Sequence, residues 1–344
     1  MSARVPPRLW VLLAAFVAAV LLTAQGRALA QQGPFLTARH VVQLPADDPR
    51  AGAWDQAPAS EVPLIPQGAV MPALRQTSVS KVTVRALHDG KDLAVLLEWQ
   101  DATRDATTGH PDLFRDAAAI MLPVSEGIPN ICMGAAGQIA NLWHWKADWQ
   151  EDIDKGFQDV VDAYPNFYKD FYPFASGQPP FRFPQDFAAA EAKNYSPGLA
   201  AGNPLSQPVK TSPVEELTSQ GFGTATHKSL QQVNGKGEWA NGTWRVVFSR
   251  SLKTADPEAP DLAARKDLPL AFAVWNGSNQ EVGARKQLSS FLTLAIEEAP
   301  AGQTASALWS SETPLWMWGG LGVAFLAVLG GMWMALRRTP SAGA

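Results

Sequence analysis

Residues 81–99 read KVTVRALHDGKDLAVLLEW, and this stretch decides the fold class. Val82, Val84 and Ala86 alternate with Lys81, Thr83 and Arg85, the period of two that a half-buried strand requires. His88 to Asp92 follows as a turn, with Asp89-Gly90 as its strongest signal. Leu93 to Trp99 is almost wholly apolar, which predicts a more deeply buried partner strand. Together the two arms form a β-hairpin.

Working outward, the same texture recurs. Asp116 to Leu122 is another apolar strand. Trp239-Ala-Asn-Gly-Thr-Trp244 is a hairpin turn, and Arg245 to Arg250 is its second arm. Leu268 to Trp275 is a buried strand, and Phe291 to Glu297 the last one. Between those two, Asn276 to Arg285 is a glycine-rich loop closed by Lys286. Ala51 to Pro58, AGAWDQAP, reads as an opening strand or loop capped by Trp54. Many short strands with turns between them predict an antiparallel β-sandwich with long loops and a few helices. Residues 31–300 suit one large domain, because β-rich domains often reach this size undivided.

The two ends differ from this middle. Residues 1–30 predict a secretory signal peptide: Arg4 and Arg8, an apolar run from Leu9 to Thr23, then the A-x-A site Ala28-Leu29-Ala30. Residues 301–314 read as a stalk. Leu315 to Leu336 is 22 residues without a charge, long enough to cross a hydrocarbon core of about 20 residues. Trp309, Trp316, Trp318 and Trp333 flank it at interfacial depth. Arg337-Arg338 predicts that residues 337–344 stay in the cytoplasm. The expectation is a domain on the periplasmic side of the inner membrane with a single C-terminal transmembrane helix. Removing residues 1–30 takes away Arg4, Arg8 and Arg27 and no acid, so the net charge of −4 becomes −7. That argues against nucleic acid as a partner and suits docking onto a basic surface.

The candidate site centres on Pro129 to Asp152, PNICMGAAGQIANLWHWKADWQED. Met133 stands beside Gly134, and the run Trp143-His144-Trp145 follows, a plausible wall for a large planar cofactor. The bland alternative is gap-filling core for Met133. For His144 it is a histidine packed or exposed in a helix. Lys286 read alone is a solvated loop lysine. One cysteine, Cys132, excludes a disulfide framework, a C-x-x-C metal site and C-x-x-C-H haem attachment. Any bound haem is therefore non-covalent. As a lone thiol in an oxidising compartment, Cys132 is expected to be buried. No nucleophile elbow, H-E-x-x-H, phosphate loop or Rossmann fingerprint occurs. His40, His88, His110, His144 and His227 show no ligand spacing. Glu151 to Gln220 is a long excursion from the strands, and its aromatic part, Asp162 to Phe187, is expected to cover a cofactor or meet a partner.

The ordered blocks AGAWDQAP, VTVRALHDGKDLAVLLEWQDAT, FRDAAAIMLP, PNICMG, NLWHWKADWQ, PVEELTSQGFGT, GKGEWANGTWRVVFSRSL and LPLAFAVWNGSNQEVGARKQLSSFLTLAIE resemble a known family. It is the haem-b-binding gamma subunit of the ethylbenzene dehydrogenase and dimethylsulfide dehydrogenase type, which serves periplasmic molybdenum enzymes. The resemblance covers about residues 50–298 and implies a sandwich like that of carbohydrate-binding modules. It implies haem b with a Met and a Lys on the iron, and by position these are Met133 in PNICMG and Lys286 in GARKQ; His144 is the alternative ligand. It further implies an electron-transfer subunit rather than an enzyme. Its expected partners are iron–sulfur and molybdenum catalytic subunits on one side and a periplasmic cytochrome c or similar carrier on the other. The family's subunits are mostly soluble, so the C-terminal anchor is a departure. The rival reading from another class is a membrane-tethered carbohydrate-binding module without haem.

Overall fold

The structure, a computed structural model, describes residues 35–164, 188–265 and 267–298. The expected signal peptide, stalk, transmembrane segment 315–336 and tail, and residues 165–187 of the aromatic excursion, lie outside the described residues. Among the described residues, no helix is long and apolar enough to cross a membrane.

The strands in chain order are β1 Phe35–His40, β2 Ser60–Pro63, β3 Ile65–Pro66, β4 Lys81–His88, β5 Asp92–Gln100, β6 Ala117–Pro123 and β7 Ala140–Lys146. They continue with β8 Val214–Ser219, β9 Thr226–His227, β10 Asn234–Ala240, β11 Thr243–Ser251, β12 Asp267–Trp275, β13 Gln287–Leu288 and β14 Leu292–Ile296. Helix α1, Ala147–Lys155, follows directly on β7. The main path of pairing runs β10-β11-β5-β4-β1-β14-β12-β6-β7-β8-β9, with β2 on β4, β13 on β12 and β3 on β13.

The hairpin forms as its sequence requires. Val84 pairs with Leu97 and Ala86 with Val95, and all four face one core. Leu87, Ala94 and Leu96 face the other way and are still buried, because the 3-10 turn Gly52–Gln56 lays Trp54 over them. That cover explains why β5 is apolar without alternation. Each of the two leucines contributes roughly 1.5–3 kcal/mol on burial.

The expectation of a wholly antiparallel sheet is corrected at β1. This strand runs parallel to both β14 and β4, so the sheet is mixed. Parallel neighbours need a long crossover, and residues 41–80 between β1 and β4 supply it. The fold remains mainly β.

Strand β12 joins the two halves of the sheet. Residues 267–270 pair with β14, and residues 271–275 pair with β6. The halves close over one core that takes Val84, Leu97 and Phe248 from one side and Ile120, Trp143 and Phe272 from the other. Three indoles bridge them: Trp145 meets Trp244 edge-on at 4.9 Å, and Trp244 stacks on Trp99 at 6.3 Å. Trp145 lies so close to β10 that a Cβ at Gly237 would sit 2.3 Å from its ring. The β10–β11 turn is Asn241-Gly242, with φ of 53° and 73°, as a two-residue hairpin of this hand demands.

Trp143 and Trp145 are therefore core, not cofactor wall, a correction to the reading of Pro129 to Asp152. In a strand successive side chains point to opposite faces. With both indoles inward, Leu142 and His144 face outward. The helix begins only at Ala147, so His144 is a strand residue.

Candidate functional site

The outward faces of β6, β7, β8 and β12 form the floor of a cavity of about 590 Å³. Met121, Leu142, His144, Leu217 and Trp275 line it, and Ala119, Ala271 and Ala273 leave it room. Four segments complete it: residues 65–72, the Ile131–Met133 turn, residues 222–225, and Gly283 to Lys286. Its volume falls in the ordinary range for an organic ligand, roughly 300–1,000 Å³. Among the described residues no carboxylate lines it, and Lys286 and His144 are its only basic side chains.

Met133 and Lys286 meet in this cavity. Lys286 Nζ lies 3.9 Å from Met133 Sδ across 153 residues of sequence. Met133 is held in a left-handed backbone, φ +68°, which an unbranched side chain adopts only under constraint. Three bonds impose it. Gly221 N–H donates to Met133 O at 3.0 Å, Gly134 N–H to Asn130 O at 2.8 Å, and Cys132 N–H to Asn130 Oδ1 at 2.9 Å. Gly134, φ +88°, is obligatory: a Cβ there would stand 2.4 Å from Gln138 O. Cys132 is half-buried in the cavity wall rather than fully buried as expected, because the turn that carries it rims the cavity.

Among the described residues no carboxylate pairs with Lys286. Its ammonium lies 4.8 Å from the centre of the Trp275 ring. Burial pulls its pKa from 10.5 down to about 8, against a small opposing pull from Cys132. The free amine is thus within reach near neutral pH. His144 lies in the same cavity, its ring 4.8 Å from that of Trp275. Burial, then the charges of Lys146, Arg115 and Lys286, hold its pKa well below the usual value, so its imidazole is neutral. Sequence reasoning missed Trp275, whose Nε1 donates to Gly283 O at 3.0 Å and anchors the Lys286 loop. Its position at the end of an apolar strand was the only signal. Gln67, also missed, carries none.

A thioether, an amine whose proton is easily lost and a neutral imidazole in an apolar cavity suit a soft or borderline transition metal, not a hard cation. The donor set and the room fit an iron porphyrin.

The Lys286 shift has a measurable sign. Below about pH 8 the ammonium is charged in folded and unfolded chains alike, and its burial is a full cost. From about 8 towards 10.5 the folded chain holds the amine neutral while the unfolded chain keeps the proton, so the cost shrinks as pH rises. In the cofactor-free protein, Lys286→Met is expected to add roughly 2 kcal/mol of stability at pH 7 and little near pH 10.5. Urea midpoints across that range check it; parallel pH profiles for the two proteins would refute it.

Fold and cavity together define a mainly β protein with an apolar cavity large enough for an organic cofactor. The chain belongs to the ethylbenzene dehydrogenase family, whose family model matches residues 51–287. A Haloferax mediterranei protein described as a respiratory nitrate reductase heme subunit is 27% identical over 320 residues, 90% of this chain and 89% of that one. The chlorate reductase subunit gamma of Ideonella dechloratans is 24% identical over 271 residues, 76% and 87% of the two chains. The dimethylsulfide dehydrogenase subunit gamma of Rhodovulum sulfidophilum is 24% identical over 270 residues, 74% and 78%.

Proposed function

We propose that this chain is a membrane-anchored periplasmic b-type cytochrome subunit. It relays electrons between the iron–sulfur subunit of a molybdenum oxidoreductase and a periplasmic carrier such as cytochrome c. At the coarser level it is a haem-type electron-transfer subunit of an oxidoreductase complex, not the catalytic subunit. The observation that carries the finer reading is the approach of Met133 Sδ to Lys286 Nζ, 3.9 Å, inside an apolar cavity in a chain of this family.

Met133 and Lys286 would hold the haem iron, which supplies one-electron chemistry when bound. Lys286 brings a lone pair because burial makes its ammonium easier to deprotonate. Met133 brings a thioether, which raises the potential. With both ligands given by the chain, no place is left for a substrate, as suits a relay. The apolar walls keep water off the metal. A carbohydrate would need many hydrogen-bonding groups, and this lining offers few.

The purified protein should show a Soret band, and acid extraction should remove all of the pigment as unmodified haem b. A colourless protein, or haem that stays with the chain, sinks the reading. The anchored topology rests on the sequence of residues 1–30 and 315–338. Protease added to spheroplasts should digest the main domain; a protected domain means the topology is wrong.

A further inference from the structure

We infer that Gln67 is a positioning residue for Lys286, an inference that rests on the haem reading above. Gln67 is 7% exposed and lies in the loop after β3, in the cavity wall. Its backbone N–H donates to Lys286 O at 2.9 Å. Its side-chain Nε2 donates to Ala284 O at 2.9 Å and to Val70 O at 2.9 Å. Its Oε1 accepts from Val70 N–H at 2.8 Å, and its own carbonyl accepts from Leu74 N–H at 2.8 Å. One residue thus grips the ligand loop at Lys286 and two residues before it, while fixing the loop that roofs the cavity.

That grip matters because the Lys286 segment has little regular structure of its own. Strand β13 is two residues long, paired with β3 through Gln287–Pro66 and Leu288–Ile65. Before it, Arg285 N–H to Val282 O, 3.0 Å, is the loop's own closing bond. Lysine has four side-chain torsions, so placing its amine depends on holding its backbone. A carboxamide is the one side chain of this length that donates twice and accepts once, and Gln67 uses all three functions. The absence of charge also counts: a glutamate here would aim oxygen at two carbonyls and put an anion in the apolar cavity wall.

The test uses the full-length protein with haem bound. Carbon monoxide binds ferrous haem only where an iron ligand has left, so it reports ligand release and not stability. Wild type should exclude it and keep a low-spin spectrum. Gln67→Met keeps the bulk but neither donor. It is expected to raise the ligand-off population about tenfold or more, the scale of losing one to two net hydrogen bonds. Gln67→Asn keeps the amide one methylene short, and should behave likewise; it carries the comparison if Gln67→Met does not fold. A folded variant that lowers the denaturation midpoint but excludes carbon monoxide as wild type does makes Gln67 merely structural and overturns the inference. Lys286→Ala is the control that separates the two failures: if it too excludes carbon monoxide, the ligand reading has failed first.

Discussion

Replacing Lys286 by alanine is expected to abolish the low-spin haem spectrum or to lose the haem, whereas His144→Ala should leave the spectrum nearly unchanged. The contest is real, because both side chains line one cavity, where the imidazole is neutral and the amine gives up its proton more easily than in water. Histidine is the commoner metal ligand. Three observations favour the lysine. Its amine lies 3.9 Å from the Met133 sulfur, its loop is clamped by Gln67, and among the described residues no carboxylate holds it elsewhere. Met133→Ala should lower the potential or release haem, since the thioether favours the reduced iron. Loss of the low-spin signal in His144→Ala but not in Lys286→Ala would make the Met/Lys assignment wrong and leave the electron-transfer role standing.

The largest expected loss of stability lies elsewhere, at Lys228. Its Nζ contacts Glu216 Oε1 and Asp256 Oδ2, both at 2.7 Å, and all three side chains are buried. Glu216 in turn accepts from Asn141 Nδ2 and from Gln232 N–H, each at 2.9 Å, and Asn141 accepts from the Trp143 indole at 2.8 Å. Lys228→Met strands two carboxylates out of water and should cost about 3–5 kcal/mol. The surface pair Lys81–Glu61 is as short, 2.6 Å, yet more than half exposed, so Lys81→Met should cost no more than about 1 kcal/mol. Urea denaturation of the two variants separates burial from mere proximity. Equal losses would refute the argument, as would a Lys228→Met/Glu216→Gln double variant no more stable than Lys228→Met.

How much of this was legible follows from what each signal encodes. The β4–β5 hairpin could be read because alternation and Asp89-Gly90 are local. The β10–β11 turn could be read from Asn241-Gly242 for the same reason. The direction of β1 could not, since FLTARH reads alike whichever way its neighbours run. Nor could the facing of Trp143 and Trp145, because an indole suits a core and a cofactor wall equally. Met133 and Lys286 were named through family resemblance; spacing alone left them as a packed methionine and a loop lysine. Gln67 was invisible because it acts on backbone carbonyls, which every residue possesses.

The alternation along β12 has an evolutionary consequence. Leu270, Phe272 and Val274 turn into the core, while Ala271 and Ala273 turn into the cavity floor. One strand therefore answers to two separate selections. Methyl groups can be added or removed on the cavity side, altering the polarity and fit around the cofactor, while the opposite side keeps the two sheets locked. A lineage needing a different redox poise can drift there without first drifting towards instability.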